Sequence, residues 1–111
     1  MALFLDLCSE AWFGFQYDVG HAHNQDVLGT VPHSAWIPRF TSRMIGVHLH
    51  DVKGIEDHLV PGRGEIDFTR IAEHIPAGTL RTLEISPAAT TDEIARGLEI
   101  LTETGCIQKW L

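Results

Sequence analysis

The amino-acid sequence predicts one α/β domain across residues 1–111, in which parallel strands alternate with helices. Three observations carry that expectation. Period-two alternation, the mark of a strand with one packed face, recurs at 12–19, 44–50 and 80–85. Helically spaced apolar positions come between and after these stretches, the order expected of βαβ units. Each strand also closes on a side chain of metal-ligand type, Asp18, His48 or Glu84. Right-handed crossovers would bring all three strand ends to one edge of a parallel sheet.

In chain order, Leu3, Leu7 and Ala11 share an i, i+4, i+8 spacing that suits the end of a helix. From Trp12 to Val19, the aromatic residues Phe13, Phe15 and Tyr17 alternate with Gly14, Gln16 and Asp18, which puts Asp18 on the opposite face at the strand's end. Gly20 permits a tight turn, and His21 falls in the loop beyond it. Between Ala22 and Arg43, Asn24, Gly29, Pro32 and Pro38 interrupt the pattern, while Trp36, Ile37 and Phe40 suggest a short helix packed on its aromatic side. A loop followed by a broken helix is expected there. Met44 to His50 is the second strand, with Ile45, Val47 and Leu49 on one face and Gly46, His48 and His50 on the other.

A polar loop from Val52 to Glu65 follows, of a length that is usually functional or disordered. Asp67 caps a helix whose apolar positions are Phe68, Ile71, Ala72 and Ile75, with Pro76 at its end. In the third strand, Leu80 to Ile85, Leu83 and Ile85 share one face and Thr82 and Glu84 the other. Thr90 and Glu93 form a capping-box pattern for the last helix, with Ile94, Leu98 and Leu101 as its stripe and Gly105 as its stop.

Composition narrows the function classes. Fifteen acidic against eight basic residues give a formal charge of -7, which disfavours nucleic acid as a partner because polyanion binding needs clustered Lys and Arg. No apolar run approaches the roughly 20 residues that span a bilayer, so no membrane partner is expected. The opening Met1 to Asp6 has no basic leader and its apolar run stops at Asp6, which does not read as a signal peptide. A cytoplasmic protein is expected. Cys8 and Cys106 have no C-x-x-C spacing and are expected to be buried thiols rather than a zinc knuckle or redox pair.

The seven histidines are the unusual feature, five of them between His21 and His50. A lone His48 would more often be a hydrogen-bonded core residue, but its strand-end position and the matching carboxylates favour a ligand. Asp18 and Glu84 have a plainer reading as strand-end residues bonded to backbone amides. Buried carboxylates need partners, however, and one shared cation would serve both. The mixed oxygen and nitrogen set suits Mn, Zn, Co or Mg without selecting among them. Such an ion can polarise a carbonyl or hydroxyl oxygen while a nearby carboxylate moves a proton from carbon.

Around this centre, His21 either touches metal or substrate or caps its loop, and His50 is expected to face substrate or solvent. His58 beside Asp57 either lines the site or is solvated. The Gly62-Arg63-Gly64 turn would let backbone amides and Arg63 approach an anionic or polar group. His23, His33 and His74 are read as structural or surface residues, and Trp12 and Trp36 as packing residues.

The ordered series Tyr17-Asp18-Val19-Gly20-His21, Val47-His48-Leu49-His50-Asp51, Asp57-His58-Leu59-Val60-Pro61-Gly62-Arg63-Gly64-Glu65-Ile66-Asp67-Phe68 and Thr82-Leu83-Glu84 resembles the xylose-isomerase-like TIM barrel superfamily. This superfamily includes sugar-phosphate isomerases and epimerases and the apurinic endonucleases. The resemblance implies that the chain is a partial TIM barrel, the last three β/α units of a (β/α)8 fold. It implies metal ligation by Asp18, His48 and Glu84, with Glu84 also a candidate proton-transfer base in the epimerase branch, and substrate contacts from His21 and His58. In the endonuclease branch His58 and Glu56 would instead hold an additional metal.

A complete barrel needs about 250 residues, so the similarity covers the C-terminal part, and the family's fifth-strand glutamate has no counterpart here. The function implied is a metal-dependent sugar or sugar-phosphate isomerase or epimerase, with little catalysis by this portion alone. A phosphodiesterase of the apurinic endonuclease kind is the first alternative, and a non-catalytic metal-binding or oligomerising remnant the second. Open sheet edges would be met by self-association or by the N-terminal barrel portion.

Overall fold

The computed structural model describes residues 2–8 and 14–108, with side chains except at 2–4, 34 and 36. Trp12, Phe13 and Ala11 lie outside the described residues, as do the side chains of Leu3 and Trp36. Helix α1 (Ala2–Leu7) opens the chain. Leu5 is buried and Leu7 is exposed, so the helix turns a different stripe inward from the one its spacing suggests. Arg43 holds this segment by donating to the carbonyls of Leu5 at 2.6 Å and Cys8 at 3.1 Å.

Three strands, β1 (Phe15–Asp18), β2 (Met44–Leu49) and β5 (Leu80–Leu83), form a parallel sheet in the order β1-β2-β5. Asp18 pairs with His48, and His48 with Thr82. The Glu84 N–H donates to the Leu49 carbonyl at 3.1 Å, continuing the ladder one residue past β5. The expected α/β class and parallel pairing are therefore present. One face assignment is corrected. Ile45 is 61% exposed, because the register shifts between Phe15 and Gln16 and leaves Ile45 as an extra residue on β2. Such a bulge breaks strict alternation, so Met44 rather than Ile45 joins Val47 and Leu49 in the core.

One face of the sheet is packed by Phe40 and Ile37 of α3 (His33–Phe40), Phe68 and Ile71 of α4 (Phe68–Ala72), and Leu101 of α5 (Thr91–Glu103). The other face carries Gln16, Asp18, Gly46, His48 and Thr82, with Leu80 70% exposed beside them. Among the described residues, β1 and β5 each pair along one edge only.

Connections differ from expectation at three places. Residues 20 and 21 are helical, because the Asp18 carboxylate accepts the His21 N–H at 2.9 Å and so caps α2 (Val19–Val27) directly at the end of β1. The stretch read as a polar loop contains a hairpin, β3 (Asp51–Lys53) paired antiparallel to β4 (Glu56–Leu59), with Gly54 at a positive φ of 61° in the turn. Helix α4 is also shorter than its apolar spacing suggests, ending at Ala72. The expected capping box is present: the Thr90 side chain accepts the Glu93 N–H while Glu93 accepts the Thr90 N–H at 2.8 Å. Gly105 follows with φ 83°. Of the two free cysteines, Cys106 is buried as expected and Cys8 only partly so.

Candidate metal centre

Sheet register brings the three strand-end residues together. Ligand atoms of Asp18, His48 and Glu84 all lie within 4.8 Å of one another. His48 Nδ1 stands 2.7 Å from Glu84 Oε2 and 3.5 Å from Asp18 Oδ2. Asp18 and His48 are mostly buried, while Glu84 is 43% exposed and opens the group to solvent. A carboxylate, an imidazole and a carboxylate are a donor set that divalent cations accept, and all three aim a donor atom at one point.

The remaining ring nitrogen of His48, Nε2, hydrogen-bonds the side-chain amide of Gln16. As placed, Gln16 presents its Nε2 to this nitrogen, so a cation on Nδ1 would need the Gln16 amide turned over, its carbonyl oxygen then accepting the proton on His48 Nε2, the usual outer support of a ligating imidazole. Sequence reading missed Gln16. The available signal was its i, i-2 relation to Asp18, which puts both on one strand face.

Asp18 is the most heavily engaged of the three. Its Oδ1 accepts the His21 N–H and the Nε2–H of His50, each at 2.9 Å, while Oδ2 faces His48 and lies 3.1 Å from His21 Nδ1. Burial pushes the Asp18 carboxyl up, but the hydrogen bonds from the His50 ring and the His21 backbone N–H outweigh it and hold it at about 2. Asp18 thus binds protons more weakly folded than unfolded, so its contribution is complete above the ordinary carboxylate range and is lost as pH falls toward 2. Metal-free protein should lose about 1 kcal/mol from this group between about pH 5 and about pH 3. Urea unfolding of wild type and Asp18→Asn at both pH values checks it. The difference between the two proteins should shrink by that amount, and a constant difference would contradict the assignment.

The other expected site residues are distributed around this group. His50 is fully buried, contrary to its expected exposure to substrate or solvent. Its ring packs directly over Gly20, where a Cβ would stand 2.0 Å from Cε1, so Gly20 provides room for an imidazole rather than a tight turn. His21 is 55% exposed and 3.6 Å from Asp57 Oδ2. His58 stacks on His50 with ring centroids 4.4 Å apart and bonds Asp57 Oδ1 through Nδ1 at 2.8 Å. That bond holds the Asp57 carboxyl below the ordinary carboxylate range.

Arg63 is occupied by Glu93 at 2.7 Å and would have to exchange that partner to meet a substrate anion. Glu56 is exposed at the start of β4. His23 is bonded to Glu65 at 3.2 Å, His33 to the Tyr17 hydroxyl, and His74 is exposed.

Asp51, the residue that precedes the polar stretch from Val52 to Glu65, is the anchor of that stretch. The side chain is fully buried, and it accepts the N–H groups of Val52 and Ile66 on Oδ1 and of Gly62 and Gly64 on Oδ2, all within 3.1 Å. The Gly62-Arg63-Gly64 turn is thus wound around a carboxylate of the protein itself.

Fold and site together define the class: an α/β chain with a parallel sheet that presents a carboxylate, imidazole and carboxylate group at its strand ends. No family model, curated protein or solved structure matches the chain.

Proposed function

We propose that the chain carries part of a divalent-metal-dependent active site for isomerising or epimerising a sugar or sugar phosphate, built on the last three β/α units of a (β/α)8 barrel. The observation that carries this reading is the convergence of Asp18, His48 and Glu84 from the ends of three adjacent parallel strands. Barrel enzymes of this architecture place their chemistry at that edge. Among the described residues, the sheet face left uncovered, with exposed Ile45 and Leu80, and the two singly paired edges support a sheet that continues into further strands. Those strands would come from the N-terminal barrel portion or a second copy of the chain.

Asp18, His48 and Glu84 would hold the ion, whether Mn, Zn, Co or Mg, and the ion when bound would polarise a sugar carbonyl or hydroxyl oxygen. Glu84 is the most exposed of the three, which suits it to take a proton from one carbon and return it at the next. His21 and His58 border the same opening, with rings 5.4 Å apart, and supply hydrogen bonds to substrate hydroxyls.

Calorimetric titration with Mn2+ and Zn2+ tests the site. Wild-type protein should take up one ion per chain, and His48→Ala should abolish that uptake. Unchanged stoichiometry in the variant would remove the site. With little catalysis expected of this portion alone, exchange of a carbon-bound proton of a ketose phosphate into deuterated water, followed by NMR, supports the isomerase reading over a non-catalytic metal-binding unit where it exceeds the uncatalysed rate and is lost in His48→Ala. The endonuclease-like phosphodiesterase reading requires a further cation near His58 and Glu56 and binding to a polyanion, against a charge of -7.

A further inference from the structure

His50 has no free ring nitrogen. Nδ1 accepts the backbone N–H of His58 at 2.9 Å, and Nε2 faces Asp18 Oδ1 at 2.9 Å. A peptide N–H can only donate, so Nδ1 carries the lone pair and the proton resides on Nε2, where the carboxylate accepts it. The geometry therefore selects one neutral tautomer. Ligand atoms of His21, His50 and His58 do lie within 4.8 Å of one another. His50 could join a cation there only by giving up one of its two bonds, in a fully buried position where water cannot replace it.

Its two bonds connect different parts of the fold. On one side is Asp18, at the end of β1, whose Oδ1 also receives the His21 N–H at 2.9 Å. With Oδ1 thus saturated, Oδ2 is the oxygen left to face His48 and Glu84. On the other side is the backbone of His58, which has φ 54°, a left-handed conformation that a non-glycine residue adopts only when its surroundings enforce it. The bond to His50 and the stacking of the two rings at an interplanar angle of 2° supply that enforcement.

We propose that His50 is a positioning residue that couples the Asp18 ligand oxygen to the hairpin, fixing Oδ1 so that Oδ2 alone is offered to a cation and pinning the His58 backbone beside the same site. The proposal rests on the metal-centre reading of Asp18, His48 and Glu84 and assigns His50 no bond to the ion.

Two substitutions divide the two bonds. His50→Asn keeps an acceptor at the Nδ1 position for the His58 N–H and loses the donor to Asp18. His50→Gln keeps a donor that reaches Asp18 and loses the acceptor. Mn2+ affinity by calorimetry and amide hydrogen exchange at His58 are measured on both, with circular dichroism reporting the fold. The Asn variant should bind Mn2+ about 10- to 100-fold more weakly, with His58 exchange near wild type. The Gln variant should keep affinity to within about threefold and exchange the His58 amide at least about tenfold faster.

Equal Mn2+ affinity in wild type and the Asn variant would overturn the proposal. So would the loss of an ion in both variants from a two-ion wild type, since that would make His50 a ligand. Wild-type protein that takes up no ion overturns the metal reading itself and the presenting role of His50 with it. Long-range 1H–15N NMR on unsubstituted protein needs no variant to fold. A protonated Nε2 and bare Nδ1 on His50 are expected, and the opposite tautomer would overturn the coupling.

Discussion

Replacing Asp51 with alanine should cost about 4 kcal/mol of unfolding free energy, a large share of the roughly 5–15 kcal/mol typical of a domain. The side chain is 1% exposed, and its two oxygens accept the backbone N–H groups of Val52, Ile66, Gly62 and Gly64. Its removal leaves four donors facing a space that no other described acceptor fills. Each unsatisfied buried donor costs about 1–3 kcal/mol, less where water can enter.

Asp51→Asn provides the control. The amide keeps one oxygen, and with it two of the four bonds, but turns an NH2 toward the other two donors. Its loss should fall between wild type and the alanine variant. The midpoint of urea unfolding measures all three proteins, and an alanine variant within about 1 kcal/mol of wild type would refute the anchoring role. The turn at Gly62 and Gly64 should also gain proteolytic sensitivity in the alanine variant, since Asp51 holds both of its amides.

Gly20→Ala offers a test in which two effects have opposite signs. Gly20 lies in the first turn of α2. On helix propensity alone, alanine there would stabilise by up to about 1 kcal/mol. The added Cβ, however, would stand 2.0 Å from Cε1 and 2.5 Å from each nitrogen of the His50 ring. That ring is tied to Asp18 and to the His58 backbone and is fully buried, so it cannot retreat without breaking a bond. Overpacking of this kind costs about 1–3 kcal/mol and sometimes more, which exceeds the propensity gain. Net destabilisation of about 2 kcal/mol is expected, with a loss of Mn2+ affinity through displaced Asp18. A more stable variant would show that the His50 ring does not occupy this place.

Much of the site was legible because strand ends in a parallel sheet share an edge. Alternation put Asp18, His48 and Glu84 at the ends of three strands, and pairing Asp18 with His48 and Leu49 with Leu83 made them neighbours. Gln16 was legible by the same period but was not used. Two faults have identifiable sources. The bulge at Ile45 is a property of the β1-β2 register, which no single strand encodes. The helical start at Val19 follows from Asp18 acting both as strand end and as cap, roles that a sequence pattern tends to assign to separate residues.

What the sequence by itself determined was therefore local: the parallel α/β order, the capping of α4 by Asp67 and of α5 by Thr90 and Glu93, and the face on which Asp18 and His48 lie. These depend on contacts a few residues apart, or on the period of a strand, and a chain carries such information wherever it folds. Only the tertiary structure decided that His50 is buried, that Asp51 closes the glycine turn, and that His58 takes a left-handed conformation. Alternation says which side His50 shares with His48 but not what covers it. The cover is a space above Gly20, thirty residues earlier, that exists only once α2 has folded back against β2 and the hairpin.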